Sequence, residues 1–169
     1  MRPTLKSGIL ISLLFALPTC TLAQSASAQV GACIVAPLQV TRQTDLEFGS
    51  IVPSARAETV AIDTGGDRKA TGGIALVTGS EKPTVARFAV SGVAGASFSI
   101  VLPESTTISR VGGEAEDMTV TDFTSNPGAA GTLGPDGKQT IAIGATLHVG
   151  AAQPLGRYVG TFDVTVAYQ

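Results

Sequence analysis

Hydrophobic and polar positions alternate along most of the chain, and they never settle into the spacing of an amphipathic helix. Alternation with period two puts successive side chains on opposite faces of a strand. Short runs of this kind recur between Gly, Pro, Asn and Asp clusters, the pattern of a sandwich or barrel. Strands are predicted over residues 34–41, 46–48, 59–62, 73–78, 84–91, 97–102, 118–124, 140–149 and 158–168. The breaks carry turn chemistry: Asp63-Thr64-Gly65-Gly66-Asp67, Gly92-Val93-Ala94-Gly95, Ser125-Asn126-Pro127-Gly128 and Gly134-Pro135-Asp136-Gly137. In the penultimate run Ile141, Ile143, Leu147 and Val149 share a face, with Thr140, Thr146 and His148 opposite. In the last, Tyr158, Phe162, Val164, Val166 and Tyr168 share a face, while Thr161, Asp163 and Thr165 point away. Antiparallel sheets with one wet face give this pattern. The expected fold is all-β, an Ig-like antiparallel β-sandwich, with no linker or repeat that would split it.

The beginning of the chain departs from the pattern. Arg2 and Lys6 precede an apolar run from Ile9 to Leu17, interrupted by Ser12 and followed by Pro18 and small residues. The run is too short for a membrane-spanning helix and reads as a signal peptide of residues 1–28, cut after Ala26-Ser27-Ala28. Cutting after Ala23 is the alternative. Leu17-Pro18-Thr19-Cys20 departs from a lipoprotein box at Thr19. The expected domain is then 29–169, 141 residues, enough for one sizeable core. Export to the periplasm, and from there to the cell surface or the medium, is the expected localisation. Losing Arg2 and Lys6 leaves nine Lys plus Arg against 13 Asp plus Glu, a net charge of −4. That balance argues against nucleic acid as a partner. Of two cysteines, Cys20 lies in the signal and Cys33 near the mature start, so no internal disulfide is expected. Cys33 reads as a small hydrophobe on a strand, with pairing between molecules the alternative.

Candidate chemistry is sparse. Nucleophilic catalysis needs a nucleophile beside a base. The single histidine, His148, falls on the wet face by parity, and nothing in the sequence brings it to Cys33. The run Glu114-Ala115-Glu116-Asp117 lacks the ligand spacing of a calcium loop and reads as a solvated loop. Gly65-Gly66 and Gly72-Gly73 are not followed by the Lys-Ser/Thr and helix of a phosphate loop. Aromatic residues are too few for a stacking platform. No catalytic residue, metal site or cofactor is predicted, and the expectation is a protein that is not an enzyme.

The most informative stretch is the last, residues 156–169. It is a long alternating strand with a penultimate tyrosine, Tyr168, and with Gly156 placed 13 residues before Gln169. It resembles the C-terminal signature of pilus subunits assembled by the chaperone–usher pathway. The resemblance implies a sandwich lacking its final strand, completed first by a periplasmic chaperone and then by the extension of the next subunit. Backbone hydrogen bonds would give affinity and alternate side chains would fill the groove. About five apolar side chains at roughly 1.5–3 kcal/mol each give at most about 8–15 kcal/mol, comparable to a whole domain's stability.

A wider set of motifs occurs in order: Thr44-Asp45-Leu46-Glu47-Phe48-Gly49, Gly72-Gly73, Phe88-Ala89-Val90-Ser91-Gly92, Phe98-Ser99-Ile100-Val101-Leu102-Pro103, Met118-Thr119-Val120, Phe123-Thr124-Ser125-Asn126-Pro127 and Ile143-Gly144-Ala145-Thr146-Leu147-His148-Val149-Gly150-Ala151. With the terminal strand, the set looks like the bacterial secreted family labelled domain of unknown function four-four-zero-two, similar to spore-coat-U-like and fimbrial subunits. These resemblances imply a structural subunit of a fimbria or surface fibre. The implied partners are a periplasmic chaperone, an outer-membrane usher, and self or sister subunits. The strand-exchange interface would comprise Gly156, Tyr158, Phe162, Val164, Val166 and Tyr168. The candidate donor strand is Val30, Ala32 and Ile34, a short segment of small residues. A self-complete, adhesin-like surface-binding module is the alternative.

Overall fold

The computed structural model describes residues 24–78, 81–113 and 116–169. The signal assigned to 1–28 therefore lies almost wholly outside the described residues, as do Glu114 and Ala115. Two compact units are present, Met1–Cys33 and Ile34–Gln169. In the first, residues 24–33 form no strand and are exposed.

The second unit is all β. In chain order its strands are β1 (Gln39–Thr44), β2 (Ile51–Val52), β3 (Glu58–Ile62), β4 (Arg68–Ala70), β5 (Ala75–Leu76), β6 (Ala86–Ser91), β7 (Ser97–Val101), β8 (Ser105–Arg110), β9 (Asp117–Asn126), β10 (Ala130–Thr132), β11 (Lys138–Val149), β12 (Tyr158–Val159) and β13 (Thr165–Tyr168). One sheet runs β1-β6-β11-β9-β8-β12, with β3 and β4 joined to it through β11. A second runs β10-β7-β13, and β2 pairs β5. The ladders are antiparallel, which gives the expected Ig-like sandwich.

The spine is β11. One of its edges serves two strands in succession: Lys138–Ile143 pair with β6, and Ala145–Val149 with β3. The other edge pairs with β9. The handover falls at Gly144, where a Cβ would collide with the carbonyl oxygen of Ile62. Ile141, Ile143, Ala145, Leu147 and Val149 are all buried, as their shared parity requires. They divide between two core clusters. One gathers Val60, Ile74, Met118, Val120, Ala145, Leu147 and Val149. The other gathers Ala86, Val90, Phe98, Ile100, Leu133, Ile141 and Ile143.

Several boundaries differ from expectation. The first strand begins at Gln39, not Ile34; Pro37 has no N–H to lend a ladder, and residues 34–37 are exposed. Cys33 is likewise exposed and on no strand. Residues 46–48 contribute one bridging pair, Glu47 with Thr84, and not a strand. The polar strands β4 and β8 (RKA and STTISR) were not predicted, because they carry almost no apolar alternation. The last strand is interrupted over 160–164. Asp117 opens β9 and does not belong to a loop, while Glu116 Oε2 lies 3.0 Å from Arg110 Nε.

Candidate functional site: a groove beside the terminal strand

The end of the chain runs along two successive strands. Tyr158 and Val159 pair with Arg110 and Ser109 of β8. Thr165 to Tyr168 pair with Val101 to Phe98 of β7. Between them the Thr106 hydroxyl donates to the Thr161 carbonyl at 2.7 Å. The opposite edge of both β12 and β13 carries no strand among the described residues. This leaves a row of backbone groups free for another chain.

Phe162, Val164, Val166 and Tyr168 share a face, as predicted, yet each is only half-buried, and so is Tyr158. Their equivalents on β11 are fully buried. The difference lies in what stands next to them. A groove of about 640 Å³ runs between the wall formed by residues 153–162 and a second wall formed by residues 42–53. Its floor includes Phe88, Ile108, Met118, Val120, Phe123, Leu147 and Val149. Leu46, Phe48 and Ile51 reach it from the second wall, and all three are half-buried. Phe162 stands over the floor between Phe88, at a centroid distance of 6.2 Å, and Phe123, at 5.1 Å. Leu46 and Phe123 each pack against both core clusters.

Each wall is fastened locally. Arg68 donates through Nη1 to the Phe48 and Ser50 carbonyls (2.6 and 3.3 Å) and through Nη2 to the Val77 carbonyl at 3.3 Å. Nearby, the Glu58 carboxylate accepts from the Gly73 and Ile74 N–H groups at 2.8 and 2.9 Å. Gly72 sits at φ 64°, and a Cβ there would clash with that carboxylate. The Gly73 hydrogen bond is the main reason the Glu58 carboxyl is held below its ordinary pKa; partial desolvation opposes it, and Ser54, Ile74 and Arg56 assist. At the far end of the terminal strand, the Tyr168 hydroxyl accepts from Val93 N–H and donates to the Ala36 carbonyl, both at 2.9 Å.

The chemistry-bearing residues are scattered. His148 is exposed on the outer face, with Nε2 2.7 Å from the Thr121 hydroxyl. Among the described residues no group of three His, Cys, Asp or Glu side chains is placed to hold a metal. Of the predicted interface, Tyr158, Phe162, Val164, Val166 and Tyr168 lie along one strip. Gly156 lines the groove at its Tyr158 end, with φ 158° and the Arg110 side chain against it. Of the candidate donor residues, Val30 and Ile34 are 98% and 97% exposed, and Ala32 is exposed too.

The model of the family described as Domain of unknown function (DUF4402) matches residues 38–168. The chain belongs to this family. The DUF4402 match starts at Leu38, the first half-buried residue of the sheet body, and takes in both groove walls. No curated protein and no solved structure matches the chain.

Sequence reasoning found one wall and missed the other. Thr44-Asp45-Leu46-Glu47-Phe48-Gly49 was visible as a motif, but its place opposite Tyr158 depends on pairings between distant segments. Phe88, Ile108 and Phe123 read as ordinary core positions, and only their incomplete burial marks them as groove floor.

Proposed function

We propose that this chain is an exported structural subunit of a fimbria or cell-surface fibre, completed by a strand that another chain donates. One observation carries the reading: a groove of about 640 Å³, floored with apolar side chains, beside a terminal strand with an unpaired outer edge. Such an edge lends main-chain hydrogen bonds, and a groove beside it takes alternate side chains. A subunit of this kind needs a cover before assembly, since an open edge invites aggregation. A periplasmic chaperone and an outer-membrane usher would supply the cover and the handover. The scattered placement of His148, Glu116 and Cys33 supports a structural and not a catalytic role.

The test is a synthetic peptide of about eleven residues with Leu, Ile or Val at alternate positions. Binding should raise the melting temperature and slow amide exchange across 160–166. If neither changes, and the protein melts cooperatively as a stable monomer, strand donation is wrong. The adhesin-like module would then stand.

A further inference from the structure

Resting on the strand-donation reading, we infer that the strand completing this groove comes from a different chain and not from a second copy of this one. The completing segment carries bulky aliphatic side chains at alternate positions. The argument compares the space to be filled with what this chain has to offer. The terminal wall from Tyr158 to Tyr168 spans 11 residues, so a strand lying along all of it covers about 34 Å at ~3.4 Å per step. The stretch of equal length just before Ala36, where the Tyr168 hydroxyl ties down the body, is residues 25–35.

In an extended segment only one parity can face the floor. The better parity there is Ala26, Ala28, Val30, Ala32 and Ile34, with ten side-chain carbons in all. At about 30 Å³ each, the space a water takes in the liquid, they occupy about 300 Å³. That is less than half of the 640 Å³ groove. The other parity is worse, since it would bury Ser25, Ser27 and Gln29 without partners.

The shortfall does not depend on where a signal is cut, because residues 24–28 add only Gln, Ser and Ala. A core left half empty loses both transfer and dispersion energy. The floor is lined by the rings of Phe88, Phe123 and Phe162, with Met118 beside them. Leu, Ile, Val or Phe side chains can reach these groups, and alanine methyls cannot. The fitting partner is therefore an extended segment of another protein with large aliphatic residues two apart.

The experiment uses protein recovered after expression of the full chain, with two peptides of residues 25–38. One has the chain's own sequence, and the other carries Ala26→Leu, Ala28→Leu and Ala32→Leu. The native peptide should leave the melting temperature within about 1 °C, and the triple variant should raise it by about 5 °C or more. Sedimentation over a hundredfold concentration range should show no self-association. If the native peptide stabilises as well as the variant, or the protein links into multimers that deleting residues 25–35 abolishes, a second copy is the occupant. The inference then fails while strand donation stands. If neither peptide stabilises, strand donation itself fails and takes the inference with it. Stabilisation by dodecanoate and by neither peptide would assign the groove to a lipid and overturn both.

Discussion

Glu58 shows how much one side chain can organise. Its carboxylate satisfies two backbone donors that the Thr71-Gly72-Gly73-Ile74 turn leaves unpaired. Gly72 is required there because its φ is positive and a Cβ has no room. Since the folded carboxyl titrates below its unfolded value, its contribution is fully present above the unfolded pKa of about 4.3. It is lost as the pH falls through the folded pKa. The expected outcome is a melting temperature that drops between about pH 5 and pH 3, with a shallower drop in Glu58→Gln. Equal slopes in the two proteins would remove Glu58 from the acid response. Arg68 plays the matching role with carbonyl groups, and it keeps Phe48 and Ser50 in place along the second wall.

At the scale of elements, the terminal strand is held by the β7 and β8 ladders and by the Tyr168 hydroxyl. Gly92 leaves space for that hydroxyl, which a Cβ would fill. Tyr168→Phe removes one accepted and one donated hydrogen bond and should cost about 1–2 kcal/mol. Denaturant melts would measure that loss, and amide exchange would show Val93 opening faster while the β11 amides stay protected. A loss of protection spread evenly over β11 would mean that the tyrosine supports the whole core.

This end of the chain was legible in advance because its alternation is long and its parity consistent. The faces of Phe162, Val164, Val166 and Tyr168 were assigned from spacing alone. By contrast, β8 was invisible: Ser105–Arg110 has one large apolar residue, Ile108, and earns its place only by pairing with β9 and β12. The expected start of the first strand failed for a related reason. Periodicity in Val30, Ala32 and Ile34 says nothing of whether a partner strand lies alongside.

At the scale of the whole molecule, the sandwich is well filled around β11 and underfilled along β12 and β13. Supplying the missing filling within the same chain should therefore stabilise it. A strand appended after Gln169 through a tight Asn-Gly turn, with Val or Leu aligned to the inward parity of Tyr168, should raise the melting temperature by roughly 10 °C. Shifting the appended strand by one residue turns those side chains outward and should erase most of the gain. Equal gains in both registers would point to unspecific edge pairing, without a shaped groove.

The sequence by itself determined the fold class and the inward face of each long strand, because alternation and turn chemistry are local properties. It also determined that the chain offers little bulk ahead of its first strand, which is a matter of composition. Only the tertiary structure decided that residues 42–53 stand across from residues 153–162 with open space between them. That arrangement follows from which strands share an edge of β11 and from where β12 and β13 run out of neighbours. Such pairings join residues more than a hundred positions apart, and no local pattern records them.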